Sequence, residues 1–301
     1  MTVTLDAAFF ARLSRLRLAM GHKASMNLTG DRKSTQKGSS TEFSDFREYM
    51  PGDDIRRIDW NAYGRLDRLY VKEYMEEKEV IVSILIDTSA SMDYGIHKKS
   101  ERACMLAAAF AYMGLNNMDR VMLYDMRQMQ QPFAAGGGKR ALPKIVDWLS
   151  QRTFDKRADV GEAVRQLPAN GPGMTLIISD FLQESFIDSG QEQEAARKIL
   201  RFLEYRRQRA AFLHVLAGEE LSAGLSAELT GTRNLIDMEE KSTLRLTLDT
   251  ASIRVYEQAV QEFLSGLRQE CARKGAFHAV CSTETDIYQQ IFQELRKLYD
   301  F

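Results

Sequence analysis

The run Val80-Ile81-Val82-Ser83-Ile84-Leu85-Ile86 is almost wholly apolar and β-branched, and it stops at Asp87. A strand with one wet face alternates apolar and polar residues. An unbroken run of this kind instead fits a central parallel strand covered on both faces. A second run, Met174-Thr175-Leu176-Ile177-Ile178, ends in the polar pair Ser179-Asp180, and a third covers residues 211–216. Further strands are expected at 121–124, 234–237 and 277–280. Between and after them, helical spacing recurs over 101–115, 142–149, 160–167, 192–207, 252–274 and 286–298. Strands alternating with helices predict an α/β fold: a doubly wound, mostly parallel, Rossmann-like sheet. A small N-terminal extension precedes it, which divides the chain into residues 1–78 and 79–301. The extension is expected to hold a helix over 5–20, with Leu5, Phe9, Leu13, Leu16 and Met20 on one face, then a polar loop to residue 41.

Bulk properties narrow the function. The chain has 301 residues and a net charge of −1, which gives no ground for a nucleic-acid or membrane-surface protein. The basic lean of the first forty residues reads as a solvated or partner-facing arm. Cys104, Cys271 and Cys281 are too scattered for a disulfide framework or a zinc site, and Cys104 sits in an apolar run as an inert core thiol. No apolar stretch is long enough to span a bilayer and no signal core is seen, so the protein is expected in the cytoplasm.

In an open α/β sheet, ligands bind where loops leave the carboxyl ends of the strands. If the strands ending at Asp87 and Asp180 are neighbours, their carboxylates converge, and Asp87-x-Ser89-x-Ser91 adds two hydroxyls. That all-oxygen mixture suits a hard cation such as magnesium. Because hydroxyls are neutral, the ion would keep surplus positive charge for a partner's carboxylate. The same residues also fit a plainer role, in which the serines cap a turn and Asp87 ends a strand.

Ile84-Leu85-Ile86-Asp87-Thr88-Ser89-Ala90-Ser91-Met92 resembles the first motif of the metal-ion-dependent adhesion site of von Willebrand A domains, and Ile177-Ile178-Ser179-Asp180 resembles the third. The resemblance implies a divalent ion (magnesium, or manganese or calcium) on Asp87, Ser89, Ser91 and Asp180. Where the family has a further Thr ligand this chain has Ala158, leaving Asp159, Thr153 or a water to compensate. Upstream, the run from Gly38 to Trp60, with Tyr49-Met50-Pro51-Gly52-Asp53-Asp54-Ile55-Arg56-Arg57, resembles the signature of domain-of-unknown-function family 58. So does the run from Arg65 to Tyr74. Many members carry transmembrane helices ahead of this region, and this chain looks like the soluble form. Read physically, Pro51-Gly52-Asp53-Asp54 is a tight turn. Arg47, Arg56 and Arg57 face the acids 48, 53, 54 and 59 as an ion-pair network, and Trp60 and Tyr63 supply packing.

The family resemblance implies a non-enzymatic adaptor or chaperone-like protein that binds a MoxR-type AAA+ ATPase, a client protein, or both. The chain has no ATPase motif of its own: Gly136-Gly137-Gly138-Lys139-Arg140 lacks the leading Gly of a P-loop and has Arg where Ser or Thr is required. A metal-dependent phosphatase with Asp87 as nucleophile would want a second Asp at the position of Ser89. A metal-free scaffold is the other alternative. His214 and His278 fall inside strands and are expected to be satisfied core residues.

Overall fold

The apolar run after Val80 forms the middle of a six-stranded sheet. The structure is a computed structural model that describes residues 7–18, 41–76, 80–136, 138–168, 171–183, 186, 193–221, 231–236 and 243–300. By contacts the chain divides into Met1–Gly21 with Val80–Phe301, and His22–Glu79.

The smaller unit follows α1 (Ala7–Leu13) and β1 (Arg17–Leu18) in the chain. It contains β2 (Thr41–Glu48), α2 (Trp60–Leu66) and β3 (Tyr70–Glu76). Strands β2 and β3 pair antiparallel, with a register shift between Phe43 and Asp45. The expected turn at Pro51 is present: Gly52 has φ 107°, and Asp53 N–H donates to the Met50 carbonyl at 3.0 Å. Arg47 grips Asp53 with two bonds of 2.9 and 3.0 Å, Arg56 lies 3.8 Å from Asp54, and Arg68 reaches Glu48. The Arg57 side chain lies outside the described residues. Asp59 caps α2, accepting from Asn61 and Ala62 N–H. Trp60 and Tyr63 pack on each other edge to face, and both remain exposed.

The larger unit continues with β4 (Ile81–Ile86), α3 (Lys99–Asn116), β5 (Arg120–Asp125), β6 (Phe133–Ala135), α4 (Leu142–Ser150), α5 (Val160–Arg165) and β7 (Gly173–Ser179). Then come α6 (Glu194–Tyr205), β8 (Gln208–Leu216), α7 (Gly218–Leu221), β9 (Gly231–Ile236), β10 (Thr243–Leu248), α8 (Thr250–Arg273) and β11 (Phe277–Ser282). The sheet order is β11-β8-β7-β4-β5-β6. It is parallel throughout except for β6, which runs antiparallel to β5 at the edge.

Alternation along the strands feeds two cores. Val82, Ile84 and Ile86 face one way, onto α1, α3 and α4, while Leu85 and Ile177 face the other, onto α5, α6 and α8. Helix α3 is the central strut of the first core. It is rich in alanine, the best helix former, and nearly all of it is buried. Gly114 lets it approach the sheet, since a Cβ there would lie 2.8 Å from a Val121 methyl.

Three expectations change. The helix over 5–20 stops at Leu13, and after a turn Arg17–Leu18 pairs antiparallel with a last strand, β12 (Tyr299–Asp300). Phe9, Leu13 and Leu16 are nevertheless buried, and α1 packs with the α/β unit. The strand expected at 234–237 is β9, which pairs with β10 as a separate antiparallel hairpin rather than joining the main sheet. Residue 237 and the polar loop of 21–40 lie outside the described residues. The helix expected over 286–298 is broken. Its middle turn is π-helical over Gln290–Glu294, where buried Gln290 bonds Arg102 at 3.1 Å and the Ser282 carbonyl at 3.3 Å.

Candidate functional site

Strands β4 and β7 are neighbours, paired Ile86 to Ile178, so the chain leaves both at the same edge of the sheet with Asp87 and Asp180. Asp87 N–H still continues the ladder, donating to the Ile178 carbonyl at 2.9 Å. Asp87 is fully buried. One carboxylate oxygen accepts from Ser89 N–H at 2.9 Å and the other from Ser179 Oγ at 2.5 Å. Both donors are neutral. Burial, followed by the nearby Asp180 carboxylate, pushes the Asp87 pKa up to about 6, against the opposing pull of the Ser179 and Ser89 bonds. Ser89 Oγ and Ser91 Oγ lie 3.0 Å apart. The first loop thus brings a carboxylate and two hydroxyls together, as its spacing predicts.

Asp180 is also buried but is differently partnered. Its carboxylate accepts from Leu182 N–H at 3.2 Å and from the Lys99 ammonium at 2.8 Å. Lys99 is the first residue of α3, is 1% exposed, and reaches Glu220 in α7 as well, at 2.6 Å. Burial alone would lower the Lys99 pKa, but Asp180 and Glu220 outweigh it and the net shift is upward. Burial raises Glu220, with Lys99 opposing. The chain turns away after Asp180 through Phe181, which is left-handed at φ 50°. Such a conformation costs a side chain about 1 kcal/mol. Here it is held by the Ser179 Oγ bond to Phe181 N–H and by stacking of the buried ring on Phe212.

A second cluster flanks the serine loop. Thr88 Oγ1 donates to buried Asp125 at the end of β5 (2.5 Å), and Arg127 donates back to Thr88 Oγ1 at 2.8 Å. The Arg127 guanidinium also bonds the Thr153 and Asp155 carbonyls and the Asp155 carboxylate, which pins residues 153–155 beside the site. Ala90 N–H joins the same segment through the Lys156 carbonyl at 2.8 Å.

The expected compensating ligands are placed elsewhere. Asp159 is exposed and caps α5, accepting from Glu162 N–H at 2.7 Å. The Thr153 hydroxyl is engaged by Arg127 at 3.2 Å. Ala158 offers only its carbonyl, and that oxygen takes the Gln183 amide at 2.8 Å. Among the described residues no three His, Cys, Asp or Glu side chains gather around a point, so an ion here would depend on serine hydroxyls. Asp87, Ser89 and Ser91 fit such an ion in chemistry, since all their donors are oxygen. Asp180 adds a fourth oxygen donor whose charge is already offset by Lys99.

Sequence reasoning missed Lys99, Glu220, Thr88, Asp125 and Arg127. The one local hint was Lys99 itself: a cation in the first turn of a helix opposes the helix dipole and so calls for a partner. His214 and His278 are in strands β8 and β11 as expected, with ring nitrogens 3.4 Å apart. They are satisfied only in part: His214 also engages the Asp180 backbone, while His278 Nδ1 has no hydrogen-bond partner among the described residues.

The fold and site define a class: a mostly parallel α/β sheet with buried carboxylates and hydroxyls at the carboxyl ends of its central strands. The chain belongs to the family described as protein of unknown function DUF58, whose model matches residues 45–263. It is 29% identical over 185 residues to Uncharacterized protein Rv1480 of Mycobacterium tuberculosis and, to the same degree, to Uncharacterized protein Mb1516 of Mycobacterium bovis. The match covers 59% of this chain, and the chain spans 58% of the length of those curated relatives. An uncharacterized membrane spanning protein from Vibrio fischeri, solved by crystallography, aligns over 73% of this chain and 98% of its own. Its identity is 12% and its TM-score 0.21, a superposition too loose to argue from. No helix among the described residues is long and apolar enough to cross a membrane.

Proposed function

We propose that this chain is a non-enzymatic adaptor of the von Willebrand A type, which docks a protein partner through a divalent cation held at Asp87, Ser89 and Ser91. The observation that supports this reading is an imbalance between two buried carboxylates. Among the described residues Asp180 has the Lys99 ammonium, whereas Asp87 has only neutral donors and a second carboxylate nearby. A buried carboxylate without a counter-ion is costly, and a hard cation beside the serine hydroxyls supplies one. When bound, magnesium or manganese on this set would keep net positive charge with which to attract a partner's carboxylate. Ser89 offers no proton relay where a phosphatase would need an acid, which favours binding over turnover. The partner of this proposal is a MoxR-type AAA+ ATPase or its client.

Ala158 in place of a hydroxyl ligand favours a second reading, a metal-free scaffold of the same fold. Calorimetric titration of the full chain with magnesium and manganese, beside Asp87→Ala, separates the two. Saturable binding lost in the variant supports the adaptor reading, and capture of a MoxR-type ATPase should then weaken with chelator. No binding at millimolar metal, with capture indifferent to chelator, leaves the scaffold.

A further inference from the structure

The lysine at the head of α3 bears directly on how a cation would be held. Lys99 is placed by two elements: α3 fixes its backbone, and α7 presents Glu220, whose other oxygen is itself held by Ala217 N–H at 2.8 Å. The ammonium is therefore built into the crevice and not draped over it. At 1% exposure it is too deep to meet a partner. It lies 2.8 Å from one oxygen of Asp180, the carboxylate that would otherwise complete the cation's shell from the neighbouring strand. A divalent ion and an ammonium repel, and both want the same oxygens. Buried charges are poorly screened by water, so that competition weakens the hold on a divalent ion.

We infer that Lys99 is the residue that sets cation affinity at this site. It occupies Asp180 as a tethered counter-ion, so that a divalent ion is held weakly by Asp87, Ser89 and Ser91 until a carboxylate from outside joins it. This inference rests on the cation reading above and adds a consequence to it. With Asp180 neutralised from within, the ion retains more of its charge for the incoming carboxylate, so metal and partner bind together better than either does alone.

The test is manganese binding to the full chain, read as loss of the free-ion signal in electron paramagnetic resonance, for the wild type, Lys99→Met and Lys99→Arg. Lys99→Met should bind manganese roughly tenfold tighter or more, given the size of the repulsion removed. Lys99→Arg, which keeps the charge, should stay near the wild type. Removing the ammonium leaves Asp180 and Glu220 without it, and one outcome is a Lys99→Met that fails to fold in chelator. In that case millimolar manganese should restore its folded circular-dichroism spectrum, and failure to restore it overturns the inference. A folded Lys99→Met that binds no tighter than a manganese-binding wild type also overturns it, while leaving the cation reading in place. No binding by either protein sinks the cation reading and this inference with it. Binding by Lys99→Met alone supports the role of Lys99 and identifies it as the reason the wild-type site is silent.

Discussion

Replacing Asp87 by Asn should make the metal-free protein more stable at neutral pH and no more stable near pH 4. Asp87 has a folded-state pKa of about 6 against an ordinary value of 3.8, because it is buried beside Asp180. A group whose pKa is raised on folding holds its proton in the native state where the unfolded chain has lost it. Its favourable contribution is complete below the unfolded pKa and is lost as pH rises through the folded one. Above that pH the native protein carries a buried anion at a cost of about two pKa units, or about 3 kcal/mol. Asparagine removes the charge and keeps the acceptor for Ser89 N–H. Its amide would then donate to Ser179 Oγ, which also accepts from Phe181 N–H at 3.0 Å. The Ser179 proton loses its acceptor, a cost of about 1 kcal/mol. The net gain at about pH 7.5 is therefore about 2 kcal/mol, falling away across the interval between the two pKa values.

Urea unfolding of both proteins in chelator, at several pH values from about 4 to 7.5, measures that difference directly, and other titrating groups cancel between the pair. A variant less stable than the wild type at every pH, by a constant amount, would show that Asp87 is not a charged liability in the free protein. The foundation of the proposed cation site would then be gone. Adding magnesium should narrow the difference on the proposed reading, since only the wild type gains a ligand linkage.

Arg127→Leu should cost about 2–4 kcal/mol, because it strips charge-assisted bonds from Thr88 and the 153–155 segment and leaves Arg152, at 3.5 Å, as the cation beside buried Asp125 among the described residues. Faster amide exchange confined to residues 153–158 and the serine loop is the accompanying sign, and unchanged protection there would refute the pinning role. Burial, followed by Arg268, holds His278 down at about 4, so its neutral form favours the native state above the ordinary value of 6.5. That contribution drains as pH falls through the interval to about 4, and a His278→Asn protein should show a flatter acid limb in urea midpoints. Gly173→Ala should destabilise strongly, since its Cβ would run into the Ile81 carbonyl at the start of the β4–β7 pair; a thermal midpoint within a degree or so of the wild type would refute the close approach.

What was legible in the sequence was what is local and periodic. The runs at 80–86 and 174–178 are apolar on both faces because helices cover both faces of β4 and β7, and that covering is written into every residue of the strand. The edge elements were not legible for the opposite reason. Strand β6 is three residues of Phe and Ala that pair with β5 by backbone alone, and β12 is two residues that find β1 from the far end of the chain. Neither length leaves room for a period. The break at Gln290 was hidden because the apolar spacing of 286–298 runs on through it. At the break Gln290 bonds Arg102, a long-range contact that no window of local sequence contains.

The site divides along the same line. Asp87, Ser89 and Ser91 lie within five residues, and their convergence follows from one turn. The neighbourhood of Asp87 and Asp180 required only that two strong strands pair. Lys99, Glu220 and Arg127 entered through tertiary contacts: Lys99 sits 81 residues from Asp180 and 121 from Glu220 in the chain. Motif reading therefore recovers the candidate oxygen donors but not the ammonium that bonds one of them, and that omission biases the reading toward a working metal site. Ala158 already pointed the other way, and Lys99 points with it. A missing hydroxyl and an added ammonium both lower the intrinsic affinity for a free ion, and neither touches the Asp87-Ser89-Ser91 face that a partner's carboxylate would share. Together they favour, on the proposed reading, a site whose cation is held more tightly in the company of its partner than alone.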